Sequence, residues 1–455
     1  MNKQELRAAV SIGLLYIIRM LGLFMVLPVL PVVGSELPLA TPLLIGLALG
    51  IYGLSQAVLQ IPMGLLSDKF GRKPVILAGL LVFVLGSLVA ATADTIYGVL
   101  VGRLLQGCGA IASTLLALLS DVTRVDQRSK AMAIVGISIG ASFGVALVAG
   151  PWMFAQVGLS GIFYFAGASG LLGILVLFTL IPSPQLAVRN PEIGIRPERL
   201  LEIAASPDLR RMMLGVFMLH YLLMSGFLVF PVLLAATGEI EITDHSLVYF
   251  GLLLITFVLM GPFMWLSDKP ALTKRMLLLM IGFFVFAMLM MANVVSFYPV
   301  LAALAVFFMA FNLLEVILPA LVSRAAPAGA RGTAMGLYSS AQFAGAFAGG
   351  ALGGFLLSSG DLLWLLCVNV ALCLVWFIVS LGLKKTGNLG SREFHLEHLS
   401  QLSAKEVADK LLSVRGVLDV VLFSSEKTAY LKVDRDQLDE AALVALARDE
   451  WVVTR

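Results

Sequence analysis

Charge is what this sequence has least of, and its scarcity excludes a water-soluble protein. Only 13% of the 455 residues are Asp, Glu, Lys or Arg, against 60% that are hydrophobic. A mean hydropathy of +0.98 is far above what a soluble domain carries, so a membrane must be the solvent. Cysteine is nearly absent as well. Cys108, Cys367 and Cys373 lie in apolar runs without CxxC spacing, so they read as packing residues, not as a disulfide or a metal site. No GxxxxGK[ST] loop and no nucleophile constellation occurs, which disfavours an ATP-driven pump or an enzyme and gives no cofactor to expect. The apolar runs also lack the alternation of an outer-membrane barrel.

What is present is a series of long apolar stretches. Hydrocarbon about 30 Å thick needs about 20 apolar residues per spanning helix. Twelve runs qualify: 9–33, 43–66, 74–92, 96–120, 131–153, 161–181, 211–236, 246–267, 274–293, 298–323, 332–356 and 361–383. Backbone groups in lipid must be satisfied within the segment, so these runs are expected as helices and the fold class as all-α to residue 385. The first run has a basic start but no small-residue cleavage site, so it reads as a retained helix.

Lysine and arginine fall only in alternate connections, among them Lys3, Arg7, Lys69, Arg72, Lys73, Arg124, Lys130, Lys274, Arg331 and Lys384. The other connections hold Glu36, Asp94, Glu239, Glu241, Asp244 and Asp361 with no basic residue. The positive-inside rule then predicts a multi-pass protein of a bacterial inner membrane with both termini cytoplasmic. Nothing in this charge pattern points to nucleic acid; membrane lipid is the expected surface.

The sequence also repeats itself. Leu66-Ser67-Asp68-Lys69 returns 200 residues later as Leu266-Ser267-Asp268-Lys269. Ala117, Leu118, Ser120, Arg128, Ala131 and Met132 return at an offset of 203 as Ala320, Leu321, Ser323, Arg331, Ala334 and Met335. Two six-helix halves are expected, 1–182 and 211–385, joined by a basic, proline-punctuated cytoplasmic linker over 183–210. Repeated halves are the architecture in which a central site alternates its access to the two sides.

Between the second and third runs stands Gly64-Leu65-Leu66-Ser67-Asp68-Lys69-Phe70-Gly71-Arg72-Lys73. A short turn needs the flexible Gly71, the basic residues suit an anionic lipid surface, and Asp68 can cap a helix N-terminus. The segment resembles motif A (GxLxDRxGRR) of the major facilitator superfamily, with Lys69 where Arg is commoner. That resemblance implies that Asp68 docks at the start of helix eleven and that Arg72 pairs with an acid ending helix four, here Asp121. Such contacts would close the cytoplasmic side. The second copy, ending Asp268-Lys269-Pro270, lacks the Gly-Arg-Lys, so a weaker latch is expected there.

Gly102-Arg103-Leu104-Leu105-Gln106-Gly107-Cys108-Gly109-Ala110 resembles motif B of the proton-coupled members. Arg103 lies roughly 12 Å below the outer end of its helix, where an unpaired charge is costly. Two readings stand: a structural arginine bonded to backbone carbonyls, or one that tunes a proton-carrying group or opposes the substrate. Gly136, Gly140 and Gly144, then Gly150-Pro151, resemble a degraded motif C of antiporters, since Trp152-Met153 follow in place of glycines. Gly345, Gly349 and Gly353 mirror the stripe, which serves either plain close packing or helix sliding. Over its whole length the chain resembles the YajR-type branch of efflux transporters, carried by Arg19 to Pro28, by Phe311-Asn312-Leu313-Leu314-Glu315 and by a C-terminal module called the YAM domain.

Ionisable groups at membrane depth are functional candidates because they are expensive there. Arg19, Arg103, Glu315 and His220 qualify, and Asn312 shares a helix face with Glu315. A carboxylate in a low-dielectric cavity can take up a proton near neutral pH and release it as a cation approaches, which makes Glu315 the leading proton carrier. Its competing reading is a permanent ion pair with an arginine. His220 reads equally as a hydrogen-bonded packing residue. Tyr52, Gln56 and Gln60, spaced by four, are expected to line a water-filled cavity or to bond neighbouring helices.

From residue 391 the composition is that of a soluble domain; 386–455 holds 9 basic and 12 acidic residues, reversing the earlier balance. Strand patterns at 392–398, 417–424, 428–433 and 450–453 alternate with helical ones at 403–413 and 436–448. The order βαββαβ predicts a ferredoxin-like domain over 391–455. His395 and His398 without a cysteine argue against metal delivery, and the domain's partner stays open.

The expectation is a proton-coupled secondary transporter, not an enzyme, exporting small hydrophobic or amphipathic compounds by alternating access. Two alternatives share the fold: a proton symporter importing one metabolite, and a transporter-like sensor acting through the C-terminal domain.

Overall fold

The structure, a computed structural model, describes residues 1–124, 127–182, 197–241, 244–267, 269–293, 296–384, 389–395, 404–423, 428–446 and 453–454. Asp268, His398 and residues 183–196 of the expected linker lie outside them. Among the described residues, eleven helical stretches are long and apolar enough to cross a membrane. The elements are α1 (Lys3–Phe24), α2 (Leu30–Val33), α3 (Pro42–Phe70), α4 (Arg72–Ala91), α5 (Ile96–Cys108), α6 (Ala112–Asp121) and α7 (Arg128–Thr179). Then come α8 (Pro197–Ala205), α9 (Pro207–Phe227), α10 (Phe230–Ala236), α11 (His245–Ser267), α12 (Pro270–Asn293), α13 (Phe297–Ala325), α14 (Arg331–Ser359) and α15 (Leu362–Leu381).

Several boundaries differ from the hydropathy pattern, each for a local reason. A capping box between Asn2 and Glu5 starts α1 at Lys3 instead of residue 9. Pro28 and Pro31 cannot donate to a helical ladder, so the chain turns after Phe24 and resumes as α2. Ser206 accepts from the Leu209 N–H, which starts α9 at Pro207 and not at 211. The runs 131–153 and 161–181 appear as one 52-residue helix, α7, interrupted at Gly158, whose φ of 69° is open mainly to glycine. The run 96–120 breaks after Cys108, and α6 begins only at Ala112.

Helices α1 to α7 pack on one another, chiefly α1 and α4 on α7 and both α3 and α4 on α5. Helices α9 to α15 do likewise, with α9 on α14 and α12 on α13 and α15. The two sets meet along α3 with α14, along α7 with α11, and through α2 with α10. Outward-facing side chains such as Ile137 (73% exposed) and Val258 (77%) form an apolar surface that hydrocarbon would cover.

After α15, strands β1 (Leu389–His395), β2 (Val417–Phe423), β3 (Thr428–Asp434) and β4 (Val453–Thr454) form one sheet in the order β2-β3-β1-β4, with every pair antiparallel. Helices α16 (Ala404–Leu412) and α17 (Glu440–Leu446) close a core of Val407, Leu411, Val417, Leu431, Val433 and Leu443. β1 begins three residues earlier than its pattern suggests. α17 begins later than 436 because the Asp439 carboxylate accepts from the Ala442 N–H and so caps it at that point.

This domain rests on the membrane helices. Lys432 Nζ donates to the Ala325 carbonyl at 2.7 Å, and the Ala328 N–H donates to Asp419 Oδ2 at 3.0 Å. Asp419 and Lys432 face each other across β2 and β3. Burial holds the Lys432 ammonium below its ordinary value, and Asp419 pulls the other way.

Candidate functional site

The residues singled out from the sequence fall into two groups, one in each set of helices. In the first set, Arg103 is fully buried. Its Nε donates to the Ala48 carbonyl (3.1 Å) and its Nη1 to the Leu23 carbonyl (3.3 Å) and Gln106 Oε1 (3.0 Å). The guanidinium lies 4.6 Å from the centre of the Tyr52 ring. Arg103 thus ties α1, α3 and α5 together, as the structural reading has it. Gln106 in turn donates to Ser87 Oγ at 2.9 Å.

Arg19 is 1% exposed and makes one bond to protein, from Nη2 to the Gly109 carbonyl at 2.7 Å. Gly109 sits in the break between α5 and α6, where carbonyls are released from the helical ladder. Next to it, Tyr16 Oη donates to the Ala112 carbonyl at 2.6 Å. Tyr52, Gln56 and Gln60 are at most 1% exposed, so they do not line open water in this conformation. Close approach of α3 to α5 is the reason: a Cβ on Gly107 would lie 2.3 Å from the Tyr52 carbonyl oxygen. Nor do the two glutamines bond across to neighbours through their side-chain oxygens, which have no protein partner.

In the second set, Glu315 of α13, His220 of α9 and Gln342 of α14 converge. Gln342 Nε2 lies 2.7 Å from His220 Nε2 and donates to Glu315 Oε1 at 3.3 Å. His220 Nδ1 lies 3.2 Å from the Val216 carbonyl, which assigns the proton to Nδ1 and leaves Nε2 to accept from the amide. Glu315 Oε2 stands 3.7 Å from His220 Nε2 and has no hydrogen-bond partner. No arginine pairs with Glu315 among the described residues. Asn312, one turn away, makes no side-chain hydrogen bond among them either.

The Glu315 side chain is 36% exposed. Its direction follows from Phe311, one turn earlier on the same face, whose ring packs against Phe143 of α7 at 5.9 Å. Glu315 thus shares its face with a ring that meets both Phe143 of α7 and His220 of α9. Phe24, Phe143, Phe227 and Phe311 make an aromatic cluster between the sets. Gln342 went unnoticed in the sequence although Tyr338 and Gln342 repeat the one-turn spacing of Tyr52 and Gln56.

The two seams differ in how closely their glycines pack. A Cβ on Gly46, Gly50 or Gly53 of α3 would come within 2.3, 2.9 or 2.6 Å of carbonyl oxygens of Gly350, Phe347 or Phe343 in α14. Along the other seam, Gly144 touches Leu253 of α11, but Gly136 and Gly140 of α7 and Gly261 of α11 meet nothing within 4 Å. The stripe of α7 is thus not close packing over its first two glycines. Its mirror is, because Gly345 and Gly349 press on the α9 backbone at Phe217 and Tyr221.

The motif between α3 and α4 is built as a network within one set. Arg72 Nε donates to Asp121 Oδ2 (2.9 Å) and Nη1 to Ser67 Oγ (2.7 Å), and Arg72 also pairs with Asp68. Gly71, at φ 91°, makes the turn, and Lys73 caps the end of α7 by donating to the Ile181 carbonyl at 2.7 Å. Gly64, one turn before Asp68, has its carbonyl engaged by Ser67 Oγ. Among the described residues, the bonds found for Asp68 stay within the first set: it pairs with Arg72. In the second copy Lys274 caps α15 through the Leu381 and Leu383 carbonyls, but the apolar Leu272 stands where Arg72 does, and Thr273 beside it bonds only backbone.

Among the described residues no group of His, Cys, Asp and Glu is arranged to hold a metal ion. The sequence profile of the Major Facilitator Superfamily matches residues 12–311 and again 212–424. The chain is 39% identical to the inner membrane transport protein YajR of Escherichia coli over 436 residues, 95% of each chain. It is 29% identical over 205 residues to the quinolone resistance protein NorA of Staphylococcus aureus, covering 45% of this chain and 51% of that one. A solved bacterial homologue of the human lysosomal transporter Spinster, inward-facing and occupied, superposes with a TM-score of 0.67 over 84% of this chain and 97% of its own, at 14% identity. The chain is a multi-pass membrane protein and belongs to the Major Facilitator Superfamily, a family of transporters and not of enzymes.

Proposed function

We propose that the protein is a proton-coupled secondary transporter of the inner membrane that exports small amphipathic compounds by alternating access. One observation carries the reading: Glu315, at membrane depth and partly exposed, shares one amide with His220, one turn from the Phe311–Phe143 contact between the two sets of helices. A proton on His220 Nε2 would turn that nitrogen into a donor and draw the imidazole to Glu315 Oε2. Releasing Gln342 in this way would loosen α14 from α9 and α13, and α14 is half of a seam. The similarity to NorA supports export over import. Everted vesicles should show substrate-dependent proton movement that Glu315→Gln abolishes; full coupling in that variant would defeat the proposal.

In this reading 1–182 and 211–385 are the two six-helix halves, 183–210 the linker and 391–455 a ferredoxin-like domain of YAM type. A 52-residue α7 would be about 78 Å long if straight, far beyond one hydrocarbon crossing, so its break at Gly158 separates two spans and makes the total twelve. The basic end of the seams is cytoplasmic, with both termini. The conformation is then inward-open, with Asp68 free to dock on α14 when that side closes. A second reading, a sensor acting through the C-terminal domain, draws on the two bonds that Lys432 and Asp419 make to the α13–α14 connection. It would be preferred if reconstituted protein moved no solute while deletion of 391–455 still changed a cellular response.

A further inference from the structure

We infer that the transported compound carries an anionic head, a carboxylate or a group of like charge, received at the break between α5 and α6 by Arg19 and the first turn of α6. The inference rests on the transport reading and adds the substrate class to it. Arg19 and Arg103 place two guanidinium charges at membrane depth in one set of helices, and neither forms an ion pair among the described residues. The titratable groups that face them are Tyr16 and Tyr52, not carboxylates. Two buried cations without a counter-charge are strongly unfavourable, and an incoming anion supplies what is missing.

The two arginines are not equivalent. Arg103 gives Nε and Nη1 to Ala48, Leu23 and Gln106 and leaves only Nη2 without a protein partner. Arg19 has a single acceptor, Gly109, and its Nε and Nη1 have no protein partner although the side chain is 1% exposed. The helix ends at the break do not neutralise it. The carbonyl end of α5 and the N–H end of α6 contribute partial charges of roughly half a unit each and of opposite sign.

α6, ten residues long, has no side-chain cap, so its first-turn N–H groups add donors beside Arg19. Ser113, in that turn, donates to the Gln60 carbonyl at 3.0 Å, which brings Gln60 alongside. Both amide atoms of Gln56 and the side-chain oxygen of Gln60 are buried without partners, so the glutamines complete a polar lining. Such a cradle selects against cations, since a cationic compound would be a third positive charge.

The test uses purified full-length protein in detergent at pH 7 and three probes with one ring system: 1-naphthoate, 1-naphthylmethylammonium and 1-naphthalenemethanol. Calorimetry should give naphthoate at least about tenfold tighter binding than the other two, as a charge-assisted hydrogen bond implies. Arg19→Gln should lower naphthoate affinity roughly 10- to 100-fold and remove the preference, while Arg19→Lys keeps part of it. Thermal melting without probe checks that the variants fold. If Arg19→Gln does not fold, Gln60→Leu must weaken naphthoate and leave the alcohol unchanged. Equal or tighter binding of the ammonium, no naphthoate binding at millimolar concentration, or an intact preference in a folded variant overturns the inference. Naphthoate binding without proton-linked flux in proteoliposomes would instead sink the transport reading and leave the anion cradle standing; flux of the ammonium that ignores Arg19 would do the reverse.

Discussion

The two sets of helices carry their intramembrane charge in opposite ways. In α1 to α7 the charges are arginines, which stay protonated at any physiological pH. They are dry and fastened to backbone carbonyls or near them. In α9 to α15 the charge is a carboxylate that shares an amide with a neutral imidazole and reaches the gap between the sets. One side is suited to hold a fixed positive field and the other to change charge. Coupling by proton needs both, because a titration alters the balance between two bodies only if the opposite body's charge stays put.

The sharpest way to break this comparison is Glu315→Gln. It should abolish proton-driven accumulation in vesicles while leaving exchange down the substrate's own gradient, because only the carboxylate to which a protonated His220 would be drawn is lost. Gln342→Leu should retain part of the coupling, since His220 and Glu315 remain within 3.7 Å. If Gln342→Leu were as damaging as Glu315→Gln, the amide would be the active element and the proton assignment wrong.

Next in size is Arg103. Removing the side chain in Arg103→Ala removes three hydrogen bonds and leaves a void beside Tyr52, with an expected loss of about 3–5 kcal/mol of stability. Thermal unfolding in detergent reads this directly. Arg19, with one bond to protein, should tolerate Gln with a far smaller loss. Equal melting temperatures for the two variants would erase the distinction between a fastened arginine and an available one.

Much of this layout was legible in the sequence, because a membrane punishes ambiguity: apolar runs, the Asp68 to Lys73 turn and the depth of Glu315 follow from hydropathy and spacing, while the Arg72 to Asp121 pair was legible only through the resemblance to motif A. What was not legible is whatever depends on which face of a helix turns toward which neighbour. Gln56 and Gln60 have cavity-lining spacing, yet Gly107 lets α5 close over them. Gln342 was passed over as a lone amide in a glycine-rich helix, and only the convergence of α9, α13 and α14 gives it a role. Helix four reads as continuous over 96–120 because Gly109 to Ile111 are apolar; nothing in hydropathy marks a break that packing against Gly79 imposes.

The repeat offers a milder contrast. Arg72 holds Ser67, Asp68 and Asp121, whereas Leu272 at the matching place is apolar and Thr273 beside it bonds backbone alone. Arg72→Ala should cost about 1–3 kcal/mol and slow transport, and Thr273→Ala about 1 kcal/mol with little effect on rate. A larger transport defect in Thr273→Ala would show that the second copy is the working latch after all.

The smallest effect expected lies at the C-terminal domain, and it too separates the two sets of helices. Asp419 and Lys432, neighbours across β2 and β3, hold Ala328 and Ala325 in the connection from α13 to α14. α13 carries Glu315 and α14 carries Gln342, so a domain fastened to their joint restrains the titrating side and leaves the arginine side untouched. Each bond is worth about 1 kcal/mol net. The double variant Asp419→Ala, Lys432→Met should therefore raise amide hydrogen exchange at Ala328 by roughly tenfold and leave exchange in α1 to α7 unchanged. Faster exchange spreading into α3 or α7 would mean that the domain clamps the whole transporter and not one half of its mechanism.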